Sequence, residues 1–103
     1  MPPAVVDSIT ELVGATPLLR LPLREAADGV RVLAKLECAN PLSSVKDRAA
    51  LFMLTAAEER GELLPGHTVV ESTSGNTGIA LAALAVARGY RCLIVLPDNA
   101  TRE

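Results

Sequence analysis

Apolar residues in this chain fall into short runs of differing period, separated by clusters of glycine, proline and small polar residues. Residues 6–12 form a short amphipathic piece that Gly14 and Pro17 break. Two stretches of strand length follow, 18–23 and 30–37, joined by a polar segment at 24–29 that predicts a loop with a helical turn. A longer pattern starts near Lys46 and runs to about Arg60, where Gly61 offers the left-handed stop of a helix. Its middle, 49–54, is wholly apolar, which predicts burial with only the helix ends wet. Leu64, Pro65 and Gly66 then turn the chain into a strand over 68–71. Residues 77–88 predict a helix apolar on all sides, one that must be covered on more than one face. Gly89 ends it, and 91–96, rich in Leu, Ile and Val, predicts another strand.

Strand, helix, strand at this spacing predicts a βαβ unit with a parallel sheet and a right-handed crossover. The fold class is α/β, a three-layer unit whose ligands sit beyond the carboxyl ends of the strands. Two loops leave such ends, one leading to Lys46 and one spanning Thr73 to Gly78, so both can converge on one crevice. Residues 97–103 have the composition of a cap for a further helix.

The chemistry of those two loops sharpens the picture. In Asn40-Pro41-Leu42-Ser43-Ser44-Val45-Lys46-Asp47-Arg48, the residue before proline is steered away from helical geometry. Ser44 and Asp47 have the spacing of a capping box, which puts Lys46 in the first helical turn. A cation there faces the positive end of the helix dipole, so its ammonium is expected to lose a proton more readily. A neutral amine is what attacks a carbonyl. Most lysines near helix starts are nonetheless solvated surface residues, and Lys46 alone does not decide between the two. In the second loop, Thr73, Ser74, Asn76 and Thr77 surround Gly75, with Gly78 just inside the helix. Helix-start N–H groups with no internal partner form an anion site for a carboxylate or phosphate. The glycines are expected to let backbone approach the ligand. A well-capped βα turn needs fewer polar residues than this loop carries.

Composition narrows the class. At 103 residues and a net charge of −2, the chain has room for one domain and no basic surface for nucleic acid or anionic membrane. Phe52 and Tyr90 are its only aromatic residues, too few for a base-stacking platform. No secretory leader is recognisable, and the longest apolar run, 79–87, is about half of what a bilayer span needs. Cys38 and Cys92 follow or sit within predicted strands and are expected to be small buried hydrophobes. With His67 the single histidine, in a turn, no zinc or other metal site is expected. These features point to the cytoplasm.

Taken in order, 13–21 (Val-Gly-Ala-Thr-Pro-Leu-Leu-Arg-Leu), Lys35-Leu36-Glu37, the 40–48 motif, the 73–80 loop, Arg88-Gly89-Tyr90-Arg91-Cys92 and Pro97 resemble the start of a cysteine synthase. That family belongs to the fold type II class of pyridoxal-phosphate enzymes, the tryptophan synthase β-like fold. The resemblance covers nearly the whole chain. Leu42-Ser43-Ser44 stands where the family often has Gly-Gly-Ser.

The resemblance implies that Lys46 binds pyridoxal phosphate covalently and acts as the catalytic base, and that Asn76 contacts the ring hydroxyl. It implies that Thr73, Ser74, Gly75 and Thr77 grip the substrate carboxylate. Asp47 and Arg48 are expected to be supports. The implied reaction is β-replacement on O-acetylserine by sulfide, giving cysteine and acetate, in a homodimer. It further implies that 1–37 carries two strands that join a larger domain, and that 38–103 begins the smaller one. The glycine-rich loop for the cofactor phosphate is expected beyond this stretch, which leaves the chain a fragment, inactive alone. Cystathionine formation or serine/threonine dehydration on the same scaffold stays open. So do a phosphate- or nucleotide-binding βαβ module and a non-catalytic fragment.

Overall fold

The computed structural model describes residues 5–24 and 27–99. The expectations for 1–4 and for the end of the 97–103 cap lie outside the described residues. Ile9–Leu12 forms one 3-10 turn, closed by a capping box between Ser8 and Glu11. Strands β1 (Leu18–Arg20) and β2 (Leu33–Lys35) then pair antiparallel, with Leu19 opposite Ala34. Both are shorter than their apolar runs. Pro22, which has no N–H to donate, follows the last ladder bond, from Leu21 N–H to the Val32 carbonyl at 2.9 Å.

Helix α1 spans Lys46–Glu59 and ends as expected, with Gly61 at φ +72°. Its apolar middle is not buried throughout, however. Ala50 and Leu54 face inward, one turn apart, whereas Phe52 is 71 % exposed. A run of six apolar residues must wrap the whole helix, and α1 has a packing partner on one side only. Strand β3 (Thr68–Ser72), helix α2 (Asn76–Ala87) and strand β4 (Arg91–Val95) follow, with Gly89 at φ +86° after α2. β3 and β4 pair parallel from Thr68 opposite Arg91 to Ser72 opposite Val95, the βαβ unit read from the spacing.

The core lies between the two helices, where Ala50 and Leu54 meet Ala80, Leu81, Leu84 and Ala85. Val69 and Cys92 close it from the sheet. Just past α2, Arg88 donates to Glu58 (2.8 Å) and Thr55 (3.1 Å) near the end of α1. The two helix C-termini therefore lie side by side. Since the helices also pack along their length, both N-termini face the same end of the molecule. The outer face of the sheet, with Val70, Leu93 and Val95, stands open. Of the three expected layers, the described residues supply two. α2 is covered on more than one face, as expected, by α1 and by the sheet, and only a narrow strip with Val86 is exposed. Cys38 is exposed, contrary to its expected burial, because β2 ends at Lys35 and Cys38 falls in a 3-10 turn over Glu37–Ala39 that buries none of its residues. Cys92 is half-buried, and burial pushes its thiol above the usual range.

Candidate cofactor and substrate site

β3 delivers the polar loop. Thr73 N–H still pairs with the Val95 carbonyl at 3.2 Å, one residue past the strand, and the chain then turns into α2. Gly75 is the helix cap but has no side chain to bond the first turn. Its carbonyl accepts from Gly78 N–H (3.0 Å) and Ile79 N–H (3.3 Å), while its own N–H reaches the Thr73 hydroxyl at 3.3 Å. The N–H groups of Ser74, Asn76 and Thr77 make no hydrogen bond among the described residues. Three unspent donors at a helix start constitute an anion-binding edge. They border a recess of about 240 Å³ lined by Thr73, Ser74, Gly75 and Asn76, with Ile94 and Leu96 beside them.

The two glycines serve different ends. Around Gly75 there is open space, so a ligand can reach its backbone. Gly78 is buried, and a Cβ there would sit 2.7 Å from Thr73 Cγ2 and 3.3 Å from Ile94 Cγ2. Gly78 also lines the recess, and its missing Cβ lets α2 close onto β4 and the Thr73 side chain.

Lys46 is the first residue of α1, exposed, and its ammonium makes no hydrogen bond or ion pair among the described residues. The expected capping box is absent. Val45 is the cap, and its side chain cannot bond the helix start; Ser44 Oγ accepts from Lys46 N–H at 3.1 Å instead. Asp47 is fully buried, and its Oδ2 accepts from Leu42 N–H at 2.6 Å. Ser43, at φ +68°, folds the loop back so that Leu42 rather than Ser44 meets that carboxylate.

The structure gathers Thr73, Ser74, Gly75 and Asn76 in one recess. Thr77 is half-buried one position further along, and Lys46 does not line that recess. The free amine of Lys46 fits a covalent bond to an aldehyde, and the unspent donors fit a carboxylate, so the residues present are compatible with pyridoxal phosphate and an amino acid.

A cluster behind Lys46 escaped the sequence reading. Glu37 accepts from Arg48 Nε at 2.7 Å and Nη2 at 3.0 Å, from the Thr16 hydroxyl at 2.5 Å and from Asn40 Nδ2 at 2.8 Å. Arg48, then Thr16 and Asn40, hold the Glu37 carboxyl down at about 2. Thr16, Glu37, Asn40 and Arg48 all lie in the motif stretches, but nothing in their spacing announces that they meet.

The sequence pattern of the pyridoxal-phosphate dependent enzyme family matches residues 9–103. This chain belongs to that family. It is 51 % identical over 96 residues to cysteine synthase B of Pseudomonas aeruginosa, covering 93 % of this chain and 32 % of that protein. To cysteine synthase B of Escherichia coli it is 48 % identical over 98 residues, covering 95 % and 32 %. Among solved structures, the cysteine synthase of Entamoeba histolytica superposes with a TM-score of 0.87 at 42 % identity, over 94 % of this chain and 30 % of that one. O-ureido-L-serine synthase does so with a TM-score of 0.84 at 48 % identity, over 94 % and 30 %. The chain spans about a third of the length of the curated relatives it matches. It has an α/β fold, a portion of the fold type II architecture of pyridoxal-phosphate enzymes.

Proposed function

We propose that this chain is the part of a cysteine synthase that carries the reactive amine and the substrate-carboxylate loop. The reaction is replacement of the acyl group of O-acetylserine by sulfide. The observation that carries this reading is the trio of unspent N–H donors at Ser74, Asn76 and Thr77, in a chain 51 % identical to a cysteine synthase B. Thr73, Ser74, Gly75 and Thr77 bind the substrate carboxylate at the positive end of α2 and so orient the α-carbon. Asn76 holds the cofactor's ring hydroxyl. Bound pyridoxal phosphate supplies the electron sink that makes the α-proton acidic. Lys46 Nζ would be the point of cofactor attachment and, when free, the general base that takes the α-proton.

In the complete enzyme, residues 1–37 belong with the larger domain and 38–103 open the smaller one. The working form is a cytoplasmic homodimer, a setting consistent with the unpaired Cys38 and Cys92.

The test treats the chain with pyridoxal phosphate, reduces with borohydride and maps adducts by mass spectrometry. The expected adduct is on Lys46 and disappears in Lys46→Ala. Adducts spread evenly over Lys35, Lys46 and the amino terminus would refute the reading. In the full-length enzyme, Thr77→Ala should raise KM for the amino-acid substrate about tenfold, as loss of a hydrogen bond to a charged group does. Supplying sulfide, homocysteine or no second substrate separates cysteine synthase from cystathionine-forming and dehydratase activity.

A further inference from the structure

We propose that Glu37 is a positioning residue for Lys46, fixing the first turn of α1 from behind through Arg48 and Asn40. The inference rests on the reading of Lys46 as the cofactor-binding amine. The helix start has no side-chain cap of its own, since Val45 occupies the cap position. What holds it lies one and two residues further on. Asp47 anchors the inward side by accepting from Leu42 N–H. Arg48 comes two residues after Lys46, about 200° around the helix axis, so its anchor lies on the opposite side from the amine.

That anchor is built to a tight specification. The Arg48 guanidinium forks onto both oxygens of Glu37, the arrangement with the most directional constraint among ion pairs. Arg48 Nη2 also reaches the Thr16 hydroxyl at 3.1 Å. Thr16 and Asn40 occupy the remaining acceptor positions of Glu37, and both are buried. Asn40 in turn accepts from Gly14 N–H at 2.8 Å through Oδ1. Gly14 has φ +90°, and a Cβ there would lie 3.2 Å from Arg48 Nη1, so backbone fills the space beside the guanidinium. Asp47 and Arg48 thus tether the first turn on two sides, while the Lys46 amine is bonded to none of the described residues. A rigid base with a free amine is what repeated attachment to and release from a cofactor requires.

The competing possibility is that Glu37 only ties the β1–β2 ribbon to α1. A structural tie affects stability; a positioning residue also affects the selectivity with which Lys46 reacts while the fold is intact. The chain and its Glu37→Gln variant are each incubated with pyridoxal phosphate and reduced with borohydride. Adduct on Lys46 is then measured against adduct on the terminal amine, with circular dichroism recorded in parallel. The expected result is an unchanged helical spectrum with the Lys46 preference lowered about tenfold, the order of loss a misplaced reacting group brings. Equal preference in both proteins, both folded, overturns the positioning role. No Lys46 preference in the parent chain overturns the cofactor reading itself, and the proposal with it. If Glu37→Gln does not fold, Thr16→Val decides in its place, because it deletes the hydroxyl bonded to both Glu37 and Arg48 without removing a charge from the cluster. A lowered Lys46 preference upholds the proposal, and an unchanged one overturns it.

Discussion

Glu37 shows how far a single carboxylate can be set by its neighbours. Its group is held at about 2, against an ordinary 4.5, first by the Arg48 hydrogen bonds and then by Thr16 and Asn40. Because the folded state favours the ionised form, the stabilisation is complete above about pH 4.5 and is lost as pH falls toward 2. Glu62 is also lowered, by Arg60, but that pair is exposed and contributes little. Urea midpoints should therefore be flat above about pH 5 and decline below it. Glu37→Gln should start lower and decline less steeply over the same acid range. An acid decline as steep in Glu37→Gln as in the parent chain would show that other carboxylates carry it. The same residue marks a limit of sequence reading. Glu37, Arg48, Thr16 and Asn40 were visible as motif positions, yet their convergence depends on the β1–β2 ribbon folding back toward α1. Asp47 misled for a related reason: its spacing from Ser44 satisfied a capping pattern, and the left-handed turn at Ser43 sent its carboxylate to Leu42 instead.

Among the elements, those defined by period and punctuation were the most legible. Gly61 and Gly89 follow α1 and α2 with positive φ, as helix stops should, and β3, α2 and β4 form the expected parallel unit. Burial was read less well, because an apolar stretch says that partners are wanted without saying how many are present. Phe52 is the case in point. The junction of β3 with α2 offers a sharp test. Replacing Gly78 by alanine improves helix propensity by about 1 kcal/mol. It also drives a methyl to 2.7 Å from Thr73 Cγ2, inside a contact that real Cβ atoms do not make. Overpacking of this kind costs about 1–3 kcal/mol, so the balance is a net loss of up to about 2 kcal/mol. Urea denaturation measures it. Thr73→Ser removes the opposing methyl while keeping the hydroxyl that Gly75 N–H uses, so the double variant should recover most of the loss. Simple additivity of the two substitutions would mean that the contact is not what fixes glycine at this position.

The whole molecule exposes more than a self-contained domain of its mass would. Its accessible surface is 7553 Å², whereas a folded monomer of this mass has about 5,500 Å². The radius of gyration is 17.2 Å, against about 13 Å for a compact domain of this length. The excess, about 2,000 Å², is the size of a substantial protein interface. The outer face of the sheet contributes an apolar part of the exposed surface, with Leu93 55 % exposed. The chain spans about a third of the length of its curated relatives. Two substitutions separate the inner and outer faces. Leu84, fully buried between the helices, should cost about 2–5 kcal/mol as alanine, enough to unfold a core of six buried residues. Leu93→Lys removes no buried contact and should shift the urea midpoint by no more than about 0.5 kcal/mol equivalent. It should also lower binding of a hydrophobic dye, because it puts a charge in the open apolar patch. A loss of stability in Leu93→Lys comparable to that in Leu84→Ala would mean that the outer face is already covered in solution by another copy of the chain. Sedimentation of the parent chain as a monomer, with the Leu93 variant equally stable, would mean that this face stands open in solution.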